Sequence, residues 1–461
     1  MKQRSLFYRQ LPLLTGLAIL VTVVWVDLNH KRWNNLQGVI FWDIINYYAY
    51  LPATIIYGDP GMNFIDDNPA EFQDKIWVQR MPNGRYVNKM SMGMSVAYSP
   101  FFLMAHALAK PLGYPSDGYS VPYRFALVMS SLAYLLLGLF FVARILKRWF
   151  SPLVISLTMI GIVIGTNLLF YTTIEAPMSH VYSFALFAFF LWTTLQWYDH
   201  PSAGWSILLG LLAGWIALIR PTNLLIIILF LTWGITNVSA IKARLQLFLR
   251  NYPLILLMVL AATMMWIPQL LYWKYTTGSW LYWSYGDERF FFDQPAIMKG
   301  LFSYRKGWLL YTPLMILALL GIIRLRRRLT SAFLPVLLFV LLNIYIVTSW
   351  WSWWYGGSFG LRAFIDSYSI LALPLAASLE WILSRRIGLK VGLLLVFILL
   401  VAHSIFQTFQ YYYGSIHWDG MTRAAYRDSF LRLRPGPDFY NLVEPPPSLQ
   451  ERLEEHQGHS R

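Results

Sequence analysis

Apolar residues run along this chain in blocks, separated by short polar segments that carry most of its charge. The blocks near 11–29, 119–143, 151–171, 179–197, 205–220, 222–240, 253–273, 309–323, 331–349, 367–383 and 389–411 approach the length needed to cross a bilayer. A hydrocarbon core of about 30 Å takes about 20 residues as a helix. The pattern therefore predicts an all-α integral membrane protein, a polytopic bundle of about eleven transmembrane helices. The first block is too long for a signal peptide and has no small-residue cleavage site, so it reads as a retained helix.

The polar segments set an expected topology. Lys2/Arg4/Arg9, Arg144/Lys147/Arg148, Lys242/Arg244/Arg250, Arg324/Arg326/Arg327/Arg328 and Arg385/Arg386/Lys390 all fall on the side of the N-terminus if these eleven blocks cross. The positive-inside bias makes that side cytoplasmic. Residues 93–112 are apolar enough to pass for a further span, but a crossing there would put every later basic run outside. They are expected instead as a juxtamembrane or half-inserted helix within one large outer loop, residues 30–118. Residues 1–413 then form the transmembrane domain. Residues 414–461, polar and proline-rich near Pro445-Pro446-Pro447, form a short extracytoplasmic tail, packed on the bundle or partly disordered.

Composition agrees and narrows the function classes. The 461 residues are 57% hydrophobic and 13% charged, against about a quarter charged in soluble domains. Mean hydropathy is +0.48. The net charge of +15 sits in short runs between apolar blocks, so it reads as topology and not as a nucleic-acid surface. The chain has no cysteine, which excludes disulfides, thiolate metal sites and thiol catalysis.

The outer segments collect the unusual residues. Asp43 stands in Gly38-Val-Ile-Phe-Trp-Asp43-Ile-Ile-Asn-Tyr-Tyr, with Asn46 and Tyr47 following at helical spacing. It either caps the helix it begins or acts as a general base. Lys89, in Asn88-Lys-Met-Ser-Met-Gly93, either meets lipid phosphate nonspecifically or clamps a lipid-linked phosphate. Glu175 and His180 share the turn Glu175-Ala-Pro-Met-Ser-His180. Pro177 gives Glu175 a helix-start role as the alternative to a functional one. His180 reads as a hydrogen-bonding bundle residue, without the paired ligands of a metal site. Arg220, in Arg220-Pro-Thr-Asn223, is a phosphate fork or a snorkelling anchor. Arg305-Lys306-Gly307-Trp308 and Tyr355-Gly-Gly-Ser-Phe-Gly-Leu-Arg362 are further outer, glycine-bearing cation segments, and Asp366 is placed to pair with Arg362. The run Trp350-Trp-Ser-Trp-Trp354 reads most simply as an interfacial anchor, with sugar stacking as the alternative.

In their order, these segments resemble the GT-C superfamily of membrane glycosyltransferases, with protein O-mannosyltransferases and the lipid A aminoarabinose transferase as the nearest pattern. The resemblance covers residues about 1–410. It implies a polyprenyl-phosphate sugar as donor, loaded from the lipid bilayer of a bacterial-type plasma membrane. It further implies a lipid, glycan or protein acceptor at the outer face, and inversion at the anomeric carbon. Carried onto this sequence, Asp43 becomes the base, and Lys89, Arg220, Arg305 and Arg362 become contacts to the donor phosphate. Glu175, His180, Tyr47 and Asn46 line the acceptor or sugar pocket. Two departures stand out: Asp43 lacks the usual acidic partner, which leaves a metal-independent reaction with no cofactor, and Glu replaces Asp at 175. A transporter or flippase of lipid-linked glycans and a non-enzymatic envelope-assembly protein are the competing classes. The former would show charges at mid-span and inverted repeats, and neither is evident.

Overall fold

A computed structural model describes residues 2–459. The chain is an all-α membrane protein. Among the described residues six helices are long and apolar enough to cross a bilayer: Phe7–Asn34, Val121–Leu146, Tyr252–Thr277, Thr330–Ser349, Arg362–Leu383 and Ile387–Tyr412.

In chain order the helices begin with α1 (Lys2–His30), α2 (Asp43–Leu51), α3 (Pro69–Phe72), α4 (Gly93–Ala109) and α5 (Val121–Leu146). There follow α6 (Pro152–Val163), α7 (Leu168–Thr173), α8 (Ser179–Asp199), α9 (Ala203–Ile219), α10 (Ile227–Thr232), α11 (Val238–Arg250) and α12 (Tyr252–Thr277). The last group is α13 (Ile297–Phe302), α14 (Trp308–Tyr311), α15 (Met315–Arg328), α16 (Thr330–Ser349), α17 (Tyr368–Leu383), α18 (Ile387–Tyr412), α19 (Arg423–Ser429) and α20 (Leu449–His459). One antiparallel hairpin, β1 (Val78–Arg80) with β2 (Tyr86–Asn88), lies in the first loop and pairs Gln79 with Val87.

Several of the eleven predicted blocks are shorter or broken helices. The block at 151–171 divides into α6 and α7 around Gly165-Thr166-Asn167. Asn167 is fully buried there, donating to the Phe359 carbonyl at 2.9 Å and accepting from the Tyr368 hydroxyl at 2.9 Å. A buried amide in an apolar bundle must be satisfied by protein groups, so the break is also a joint to the distant 355–362 loop. The block at 222–240 ends with α10 at Thr232. Its last residues belong to a turn and to α11, a basic helix with no buried residue. α4, at 17 residues, is about 25 Å long and shorter than the hydrocarbon core.

Exposure separates the bundle into centre and rim. The window at Arg362–Leu383 is 94% buried, whereas those of Tyr252–Thr277 and Ile387–Tyr412 are 11% buried. A helix apolar all round and buried all round is a central post; α17 has that role, and α12 and α18 present apolar side chains outward as a lipid-facing helix does. α9 lies against α12 through glycines. A Cβ on Gly210 would stand 2.1 Å from the Met258 carbonyl oxygen, and one on Gly214 2.5 Å from that of Ala262. Such close backbone approach is the small-residue packing of membrane helices.

The basic runs gather at one end of the bundle. Arg148 at the end of α5 pairs with Asp199 at the end of α8 at 2.8 Å. Arg328 at the end of α15 pairs with Glu380 near the end of α17 at 2.6 Å and donates to the Trp149 carbonyl. Arg244 of α11 donates to the Trp233 carbonyl, and the Trp233 ring lies 6.2 Å from that of Trp149.

The tail packs against the bundle over its described residues. The side chain of Arg305 donates to the carbonyls of Asp419 (2.9 Å) and Glu444 (3.2 Å), and Arg452 of α20 donates to that of Trp351 at 3.3 Å.

Gly210→Leu should separate α9 from α12, because neither carbonyl can yield the space. Overpacking of this kind costs about 1–3 kcal/mol or more, so the detergent-solubilised variant should unfold at a lower temperature than wild type. An unchanged unfolding midpoint would show that the two helices are not packed through this glycine.

Candidate active site

α2 begins abruptly. Trp42, just before it, has φ 47° and ψ −130°, a conformation that non-glycine residues seldom adopt. Asp43 is the first helical residue, and no side chain caps this helix start. Of the two readings of Asp43, capping finds no hydrogen bond among the described residues; its carboxylate turns to another part of the chain. Arg362 Nη2 donates to Asp43 Oδ2 at 2.9 Å, across 319 residues.

The Lys89 segment is fixed to α2 on one side and to α9 on the other. Asn88 Nδ2 donates to the Asn46 carbonyl at 2.7 Å, and the Tyr50 hydroxyl donates to the Met90 carbonyl at 2.6 Å. Ser91 Oγ donates to the Leu218 carbonyl at 2.6 Å, and Trp215 Nε1 to that of Gly93 at 2.9 Å. Gly93 fits only as glycine, since a Cβ there would stand 2.4 Å from the Ile219 nitrogen. α9 ends at Ile219, so these bonds bring Lys89 beside Arg220.

The Arg220-Pro-Thr-Asn turn is held from behind. Asn223 Nδ2 donates to Asp366 Oδ2 at 2.9 Å, and Asp366 Oδ1 lies 2.9 Å from His180 Nδ1. Asp366 therefore pairs with His180 and not with Arg362 as expected, because the 3₁₀ turn Arg362–Ser367 aims the two side chains differently. His180 is the hydrogen-bonding bundle residue its sequence context predicts.

These elements enclose a cavity of about 290 Å³. Asp43, Tyr47, Lys89, Arg220 and Arg362 line it, together with Trp283, Tyr285, Glu288, Phe290, Trp350, Trp351 and Tyr355. It holds two ion pairs, Asp43–Arg362 at 2.9 Å and Lys89–Glu288 at 2.6 Å. Arg220 is in neither; its guanidinium faces Tyr47, Asp366 and Tyr355. Three cations against two carboxylates leave one net positive charge on the lining, which suits an anionic ligand. Asp43 Oδ1 makes no hydrogen bond to a described residue. Tyr355 has φ 58°, so two strained non-glycine residues, Trp42 and Tyr355, flank the site.

Four expected site residues lie outside the cavity lining. Asn46 is buried and gives its carbonyl to Asn88. Arg305 is committed to tail carbonyls, which removes it from phosphate contact. His180 stands behind Arg220 through Asp366 and Asn223. Glu175, in the turn between α7 and α8, sits behind Asp43 and Arg362; burial, partly offset by Arg362, Arg32 and Lys306, pushes its carboxyl up to about 7.

The aromatic run at 350–354 is not an exposed anchor. Trp353 and Trp354 are buried, Trp350 and Trp351 wall the cavity, and Trp350 pairs by backbone with Phe290. Glu288, in the acidic pair Asp287-Glu288 of the 274–308 segment, was not expected at the site; a carboxylate in a polar segment among cation-rich ones is the signal that nominates it. Lys306 is buried with its amine on the carbonyls of Ser358 and Trp418, and burial lowers its pKa to about 7. It fixes the glycine loop that delivers Arg362.

No family model and no curated protein matches the chain. Solved structures of the Archaeoglobus fulgidus oligosaccharyltransferase superpose on it weakly. The apo form gives 12% identity and a TM-score of 0.45 over 96% of this chain and 64% of that one. The complex with an inhibitory peptide and a dolichol-phosphate gives 12% and 0.44 over 94% and 61%. The form tethered to an acceptor peptide containing the NVT sequon gives 13% and 0.46 over 96% and 63%. The chain thus spans about three fifths of the length of those proteins. Similarity at this level decides neither fold nor activity.

Glu175 has a signature in pH. Its folded-state pKa is raised from 4.5 to about 7, so burial favours the protonated form. That stabilisation is complete below pH 4.5 and is lost as pH rises through 7. Between pH 5 and 8 wild type should lose thermal stability relative to Glu175→Gln, which cannot ionise. Parallel profiles for the two proteins would show that Glu175 is already charged in the fold.

Proposed function

We propose that this chain is a metal-independent, inverting membrane glycosyltransferase of GT-C type, moving a sugar from a polyprenyl-phosphate donor to a nucleophile on a lipid, glycan or protein acceptor. The observation that supports this reading best is the convergence of Asp43, Lys89, Arg220 and Arg362 in one cavity, from positions spread over 320 residues. The cavity combines a carboxylate, an excess of positive charge and an aromatic wall of Trp283, Tyr285, Trp350 and Tyr355. It opens at the end of the bundle away from the basic runs, the outer face under the positive-inside bias.

In this reaction Asp43 accepts the proton of the acceptor hydroxyl or amine. The freed electron pair forms the new bond to the anomeric carbon from the side opposite the phosphate. The anomeric carbon–oxygen bond breaks, and its electron pair leaves on the polyprenyl phosphate. Arg220, in neither ion pair, meets the phosphate with its planar fork. Lys89 offsets charge building on the leaving oxygen, with Glu288 holding its amine in place. Arg362 has a different part from the phosphate contact its sequence position implied. Its Nη2 donates to Asp43, so it orients the base.

The test is transfer from a radiolabelled polyprenyl-phosphate sugar by the purified full-length chain. Asp43→Asn keeps the shape of the side chain and should lower turnover by about 10²-fold or more. Arg220→Gln should raise KM for the donor about tenfold, the effect of losing about 1.4 kcal/mol of phosphate binding. Normal turnover by Asp43→Asn would refute the base assignment. Donor binding without any transfer by wild type would favour a flippase instead.

A further inference from the structure

A second, larger cavity lies at the opposite end of the bundle. It is an apolar groove of about 700 Å³ between α1, α5 and the start of α6. On α1 it runs from Tyr8 to Leu20, and on α5 from Leu136 to the end of the helix, with Lys147 just beyond. At 1.5 Å per residue the walls are about 16–18 Å deep. Half of a 30 Å hydrocarbon core is about 15 Å. The groove is one leaflet deep.

Its charge is confined to one end. Arg9, Arg144 and Lys147 stand where α1 begins and α5 ends, and no carboxylate lines the groove. Among the described residues none of these three cations is in an ion pair, whereas the next residue, Arg148, is paired with Asp199 at 2.8 Å. The Arg144 guanidinium lies 5.1 Å from the Phe140 ring, above the apolar wall. The other end of α5 adjoins α2, the helix that carries Asp43 and Tyr47: just before α5 the Gly118 carbonyl accepts the Tyr48 hydroxyl. The cations therefore lie at the far leaflet surface from that site.

We infer that this groove is a binding site for an anionic phospholipid of that far leaflet. One acyl chain fills the slot between α1 and α5, and the headgroup phosphate meets Arg9, Arg144 and Lys147. Basic pockets between membrane helices bind anionic headgroups through this combination of charge and depth. The inference does not depend on the reaction proposed for the other site.

The test is native mass spectrometry of the full-length chain with phosphatidylglycerol or phosphatidylcholine of identical acyl chains. Wild type should retain phosphatidylglycerol about tenfold better. Arg144→Gln/Lys147→Gln, at the bundle surface, should reduce that retention to the phosphatidylcholine level. Gly16→Phe keeps every cation but fills the slot, since the Gly16 position meets only Met159 Cε, at 3.7 Å. It should lower phosphatidylglycerol retention at least fivefold, and Leu136→Trp should do the same from the α5 wall. Equal retention of the two lipids by wild type would overturn the site. So would a headgroup preference that survives the cation substitutions, or one that survives filling the slot, which would assign it to general surface charge.

Discussion

The Asp43–Arg362 ion pair is the contact on which the architecture around the cavity depends. It joins the strained start of α2 to the start of the central post, and its distance of 2.9 Å spans 319 residues of sequence. Both side chains are mostly withdrawn from solvent, 27% exposed for Asp43 and 11% for Arg362. Removing either one would leave the other partly buried and unpaired, a penalty of about 1–3 kcal/mol or more for a charged group. The pair therefore constrains two segments at once: where the start of α2 sits, and which way the 355–362 loop turns.

Around that pair the structure fixes charged groups through backbone carbonyls and a few buried polar side chains. Lys306 secures the glycine loop, Asn167 ties the same loop to the break between α6 and α7, and the His180–Asp366–Asn223 chain holds the Arg220 turn. In low-dielectric surroundings each such group is costly unless satisfied, so each is a rigid joint. That rigidity has a functional meaning. For the transfer proposed here, which needs a phosphate and a nucleophile held in line, groups that do not reorganise during reaction contribute most.

The two ends of the bundle answer different physical demands. At one end carboxylates and cations are paired within a cavity, with Arg220 in neither pair and facing Tyr47, Asp366 and Tyr355. At the other, basic residues either tie helix ends together, as Arg148 and Arg328 do, or stand over an apolar slot with no ion pair among the described residues. Membrane helices have little hydrophobic reason to adhere to one another. Close glycine contacts, as between α9 and α12, and ion pairs at helix ends therefore supply much of the specificity of packing.

The sequence by itself determined the solvent the chain folds in, because blocks of apolar residues cannot be hydrated without large cost and their length matches a bilayer. It also nominated Asp43, Lys89, Arg220, Arg362 and Tyr47, since charged or polar groups in short segments between apolar blocks must find partners. Only the tertiary structure decided which of them meet. The pairing of Asp43 with Arg362, the loss of Arg305 to the tail and the placement of Glu288 are long-range outcomes with no local signature. The same holds for the tryptophan run: apolar aromatic residues next to a span suit an interface or a cavity wall equally well. Helix breaks such as that at Asn167 escaped periodicity because a single buried amide is satisfied by a loop almost two hundred residues away. Hydropathy is a sum over neighbours in sequence, while a site is made by neighbours in space.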